Sequence, residues 1–193
     1  MRKTLVIIIV LALAWIGYAA WPLYDLLKLA RAVERGDVAE VTHRVNFARV
    51  RASLTQQIAE AYLQRTGARP GPLVHGAVAS VADPIVAKVI SSEALAELLR
   101  TGWPRTVLPD QPRDAVGISV AGLGSVWQLF AASDYGIVRY EVAVPVSLPP
   151  GRAFRLQLRL SQWRWHLTAV QLPEPIRLLL ADEIIKATKP HSQ

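Results

Sequence analysis

Residues 137–172 read IVRYEVAVPVSLPPGRAFRLQLRLSQWRWHLTAVQL. Three runs of alternating apolar and polar residues follow one another here. In Ile137 to Leu148 the even positions Val138, Tyr140, Val142, Val144, Val146 and Leu148 are apolar, while Arg139 and Glu141 stand at odd positions. Successive strand residues point to opposite faces, so this is a strand with one buried face. Pro145 cannot donate to a ladder and marks an edge or a bulge near the end. Pro149-Pro150-Gly151 turns the chain, and Phe154, Leu156, Leu158 and Leu160 then alternate with Arg155, Gln157 and Arg159. Ser161-Gln162 leads closely into a third strand, Trp163 to Leu172, and the three read as an antiparallel meander. On this phasing Trp163 and Trp165 fill core. Pro173 and Pro175 end the sheet, and Leu179, Leu180 and Ile184 give the tail from Ile176 the stripe of an amphipathic helix.

Upstream the spacing is helical. From Pro22, which suits a first helical turn, Leu23, Leu26, Leu27, Ala30 and Val33 form one stripe. Gly36 and Asp37 read as a stop and a new cap for a short helix from Val38 to His43. Asn46 caps a longer helix with Phe47, Val50, Leu54, Ile58, Ala61 and Tyr62 inward and Arg49, Arg51, Gln56, Gln57 and Glu60 mostly elsewhere. Thr66 to Pro72 ends it. A further stretch from Leu73 restarts at Asp83-Pro84, and Ser91-Ser92-Glu93 opens a helix through Arg100 with Leu95, Leu98 and Leu99 inward. Gly102 to Pro112, with three prolines, is a loop. Val116 to Val120 reads as a short strand and Ser125 to Ala132 as a helical turn.

Helices first and strands second make the fold class α+β. The expected architecture is an N-terminal transmembrane helix, then a helical layer packed on a C-terminal antiparallel β-meander, closing with an amphipathic helix.

The transmembrane expectation rests on Thr4 to Tyr24, an uncharged run preceded by Arg2 and Lys3. As a helix it is about 31 Å long, enough for a hydrocarbon core of roughly 30 Å. The cations keep the short tail cytoplasmic and send the body across. Trp15, Tyr18, Trp21 and Tyr24 cluster toward the far end as an interfacial belt. Gly17-Tyr18-Ala19 before Ala20 also fits a signal-peptidase site, the competing reading. The expected division is 1–24 as cytoplasmic tail and signal anchor, and 25–193 as one extracytoplasmic α+β domain.

Lys and Arg number 22 against 15 Asp and Glu, a net charge of +7. Beside a bilayer such a surface suits anionic headgroups. Arg155, Arg159, Trp163, Arg164, Trp165 and His166 mix cations and rings as a nucleic-acid platform does, but their phasing divides them between two faces, and export argues against that partner. With no cysteine, neither disulfides nor a lipid-modified cysteine is available. His43, His75, His166 and His191 lack the spacing of a metal motif. Alternation places His166 at the surface beside Arg164, opposite the tryptophans. Gly122-Leu123-Gly124 fails as a dinucleotide fingerprint because Trp127 stands where the third glycine belongs. Asp110, Asp114, Asp134, Glu141 and Asp182 are the carboxylates that folding would have to assemble for acid–base work. Spacing pairs none of them, so no catalytic, cofactor-binding or metal residue is assigned.

Several pieces in order resemble a family of bacterial envelope proteins classed as domain of unknown function 2939. They are the apolar N-terminus, Ala32 to Asp37, Arg44 to Leu54, Asp83 to Val86, Ser92 to Leu95, and Trp165 to Pro173. Asn46 stands where that pattern has an Asp before Phe47. The resemblance implies an anchor and an architecture but no activity. The ending also looks like that of cystatin-like and nuclear-transport-factor-like α+β domains, an analogy of fold alone.

The expectation is a non-enzymatic, membrane-tethered periplasmic accessory or binding module, single-pass in a bacterial inner membrane. Its partners are the bilayer through residues 4–24, with anionic headgroups or an envelope protein as further candidates, and no nucleic acid or cofactor. The alternatives are an exported binder of a lipid or other small apolar ligand between helices and sheet, and a hydrolase-like enzyme.

Overall fold

A computed structural model describes residues 2–67, 76, 80, 86, 87, 90–112, 115–149 and 151–188. The expected stretch from Leu73 with its restart at Asp83-Pro84 lies almost wholly outside these residues, as do Asp114, His75 and His191.

Helix α1 runs unbroken over Arg2–Arg35 and contains Pro22. The expectation that Pro22 starts a helix is therefore corrected. Its ring removes one hydrogen bond, and the Leu- and Ala-rich segments on both sides carry the helix past that loss. The two halves of α1 differ in surroundings. Leu5 to Tyr18 have no protein cover, whereas Leu26, Leu29, Ala30 and Val33 are in the core. Gly36 ends α1 in the left-handed region, with its N–H on the Val33 carbonyl and that of Asp37 on Ala32, so the last carbonyls are satisfied.

Asp37 caps α2 (Val38–Arg44) through the Glu40 N–H. Asn46 caps α3 (Phe47–Thr66) through the Arg49 N–H, so a carboxylate is not needed there. Ser91 caps α4 (Ser92–Thr101), whose Leu95, Leu98 and Leu99 are buried as expected. The expected strand at Val116 to Val120 is absent. Ile118 donates to the Leu99 carbonyl and Gly117 lies against the Arg100 carbonyl, where a Cβ would sit 2.0 Å away; backbone contact with α4 replaces strand pairing. Ser125 and Gln128 form a reciprocal capping box on α5 (Val126–Ala131), the expected helical turn.

The sheet has four strands rather than the expected three: β1 (Ser133–Tyr135), β2 (Arg139–Val144), β3 (Phe154–Ser161) and β4 (Arg164–Gln171), each antiparallel to its neighbour in that order. A three-residue strand has too few positions to show alternation, so β1 was not legible. Tyr140, Val142, Val144, Phe154, Leu156 and Leu158 face the core as their alternation requires. Trp165 is buried, but Trp163 is not. Gln162 and Trp163 form the β3–β4 turn, both with positive φ, which leaves Trp163 78% exposed instead of in the core. Helix α6 (Glu174–Thr188) closes the chain and packs on α3. This is the expected α+β arrangement.

Candidate functional site: the open face of the sheet

The register assembles the polar positions into rows. Arg139, Arg159 and His166 lie side by side across β2, β3 and β4; so do Glu141, Gln157 and Ala169, and then Ala143, Arg155 and Gln171. These residues occupy the face opposite the core. Helix α3 borders it, because the chain around α3 covers the edge of β4. The Asn46 N–H donates to the Leu167 carbonyl at 2.8 Å, and Val45 bridges to Leu167 in parallel. Gln57 completes the cover: its Nε2 donates to the Val170 carbonyl at 2.9 Å and its Oε1 accepts the Leu172 N–H at 3.0 Å. The side-chain amide thus stands in for a neighbouring strand. This corrects Gln57 from a solvent position to a buried one, since the sheet edge offered it a donor and an acceptor together.

Two clefts open where α3 overhangs this face. One, of about 260 Å³, is lined by Gln57 and Glu60 from α3 and by Glu141, Arg155, Gln157 and Gln171 from the sheet. The other, of about 370 Å³, is lined by Asn46, Arg49, Arg159, Gln162, His166 and Thr168. The first can exchange hydrogen bonds with a polar chain through the amides of Gln157 and Gln171. The second presents two guanidinium groups and an imidazole to an anion. The expected surface position of His166 holds, with Nδ1 3.2 Å from the Arg164 carbonyl.

Among the described residues the candidate carboxylates do not gather into one site. Asp182 is engaged by Arg65 at 2.9 Å, Glu141 by Arg139 at 3.3 Å, and Asp110 is exposed elsewhere. Of the described candidates, only Asp134 and Glu141 are neighbours, opposite one another on β1 and β2. Glu60, not singled out from sequence, shares the first cleft with Glu141 and is held by Gln56 at 2.9 Å. Among the described residues no three His, Asp or Glu side chains group closely enough to hold a metal ion. Gly122 and Gly124 belong to a tight turn whose Gly122 carbonyl accepts the Val146 N–H, a structural duty.

A separate, mainly apolar cleft of about 340 Å³ lies at the far end of the sheet, lined by Trp103, Val116, Leu148, Phe154, Pro173 and Ile176. Sequence reasoning missed three other features. Buried Asp25 on α1 accepts from Arg44 at 3.2 Å and from the Trp165 N–H at 3.4 Å. Trp21 stacks on Trp163, ring centroids 6.4 Å apart. Lys28 lies over the Tyr24 ring at 4.3 Å. Each joins positions far apart in sequence or fixes a surface ring, and periodicity reports neither.

No curated protein and no solved structure matches the chain. Of the pieces that carry the sequence resemblance, Trp165 to Pro173 lies beyond residues 11–98, the range that a family model matches. That family model, described as Protein of unknown function (DUF2939), runs from within the exposed half of α1 into α4, and over that stretch the chain is similar to that family.

Proposed function

We propose that the chain is a single-pass, membrane-tethered binding or accessory module without catalytic activity, its short N-terminal tail cytoplasmic and its body periplasmic. The observation that carries this is the division of α1. Its first half is long and apolar enough to cross a membrane and has no protein cover, while its second half is core. The same helix therefore serves as anchor and as part of the fold, with no linker between. Continuity through Ala19-Ala20 favours an anchor over a cleaved signal. The open face of the sheet is the binding surface. Its carboxylates are held by neighbours in shallow, solvated clefts, which suits recognition of a polar or anionic partner better than proton transfer. The apolar cleft beside Trp103 supports the second reading, a small apolar ligand, because its size falls within the range of ordinary ligand sites.

The absence of cysteine makes the test clean. Ser147→Cys, in the exposed turn after β2, is expected to react with a membrane-impermeant maleimide once the outer membrane is permeabilised, and Lys3→Cys to stay unlabelled. The protein should remain with membranes in alkaline carbonate. Release by osmotic shock, or a mature chain starting at Ala20, would sink the anchor.

A further inference from the structure

The Trp21–Trp163 stack reveals how the domain stands on its anchor. Helix α1 meets the β3–β4 turn at Trp21 and the Trp165 backbone at Asp25. Its other end reaches the Val120 N–H through Glu34 at 2.7 Å, and the neighbouring Gly122 bonds Val146 beyond β2. So α1 runs along the sheet from one end to the other. The end beside Trp21 carries both the β3–β4 turn and the β1–β2 turn, since Tyr135 pairs with Tyr140 and the Leu160 N–H donates to the Val138 carbonyl. Each turn projects a large apolar side chain: Ile137 is 85% exposed and Trp163 78%. Arg139, Arg159 and Arg164 stand on the strands at that same end.

Length decides how close this end comes to lipid. A hydrocarbon core of roughly 30 Å needs about 20 helical residues. Counted from Arg2 or from Thr4, the far boundary falls between Trp21 and Leu23, and helix tilt moves it further along the chain. Pro22 is already buried against the domain. The domain therefore begins before the hydrocarbon ends, and Trp163, stacked on Trp21, lies at the boundary. The turn chemistry agrees. A two-residue turn with both φ positive favours Asn-Gly, yet Gln162 and Trp163 occupy it at φ 51° and 61°. An exposed tryptophan in an unfavourable backbone position points to use rather than to folding.

We propose that the two turns, through Ile137 and Trp163, insert into the headgroup region of the bilayer as a second membrane contact, with Arg139, Arg159 and Arg164 on anionic phospholipid. The inference rests on the anchor reading and deepens it. Tryptophan favours that region and cations are drawn to its surface charge. The contact holds the domain upright, with its open face accessible from the side and the apolar cleft directed away from the membrane.

The test uses the full chain in nanodiscs of phosphatidylcholine with and without phosphatidylglycerol, carrying an environment-sensitive fluorophore on Gln162→Cys or, at the opposite end, Arg152→Cys. Label at position 162 should show blue-shifted emission and resist iodide quenching, whereas label at 152 should behave as in water. Adding Trp163→Gly, which suits the turn and so keeps the hairpin, should reduce the protection at 162. Equal quenching at both sites in retained protein would overturn the contact while leaving the anchor intact. Protection that grows with the number of chains per disc would assign the tip to a second copy and overturn it too. Loss of the protein from the discs would remove the anchor reading and this contact together.

Discussion

Gln57 shows how one side chain can finish a sheet. The edge of β4 has backbone groups that water cannot reach, and the amide of Gln57 supplies one donor and one acceptor to them. Gln57→Leu removes both at constant burial and should cost about 2–6 kcal/mol, because each abandoned buried group costs about 1–3 kcal/mol. Urea unfolding of the variant measures this. Gln57→Glu should recover little, since its second oxygen would face the Val170 carbonyl. Tyr140 makes a different kind of prediction. Burial raises its pKa, a Ser133 hydrogen bond partly opposes this, and Tyr135 adds to the rise. A raised folded value means the neutral phenol stabilises the fold fully below its ordinary value of 10.0. That stability is lost as pH climbs through the folded value. Tyr140→Phe should therefore be about 1 kcal/mol less stable at neutral pH through the lost bond, and the gap should close above about pH 10. Denaturant titrations at the two pH values give the comparison. Both residues were visible in the sequence as a polar helix position and an alternating strand position. Their partners were not, because Val170, Leu172 and Ser133 reach them only after folding.

At the scale of elements, α1 serves two environments. Deleting residues 2–21 should leave a domain that melts cooperatively, since the buried positions of α1 begin at Pro22. Deleting residues 2–35 should abolish folding. It would strip Leu26, Leu29, Ala30 and Val33 from the core, and large apolar side chains contribute about 1.5–3 kcal/mol each against a total stability of about 5–15 kcal/mol. Circular dichroism melts of the two truncations decide it. The elements with long patterns were legible: the three longer strands, the caps at Asp37, Asn46 and Ser91, and the final helix. Where reading failed, the cause was local. Pro22 looked like a helix start because its missing N–H is harmless there, yet one lost bond does not break a helix supported on both sides. Val116 to Val120 looked extended but found backbone partners in α4 instead of a strand. Trp163 looked like a strand residue, but the hairpin needed it, together with Gln162, for its turn.

The molecule as a whole is a sheet standing beside one long helix, its core face against α1 and α2, on which α4 packs, and its other face open beneath the overhang of α3. If the helix spans the bilayer, this geometry turns the β3–β4 end of the sheet toward the membrane and leaves the open face to the side, and labelling of Ser147→Cys tests on which side of the membrane the domain lies. The sequence by itself determined the α+β class, the apolar N-terminal helix, the amphipathic phases and the family resemblance, because these depend on periodicity and composition within short windows. Tertiary structure alone decided that the apolar N-terminal run and the first core helix are one continuous helix, that Gln57 and Asp25 are buried, and that two clefts share one polar face. It also decided that Trp163 meets Trp21 at the end of the sheet where both turns emerge. Those facts join residues up to 142 positions apart, Trp21 and Trp163, and no local pattern encodes which distant group a side chain will meet.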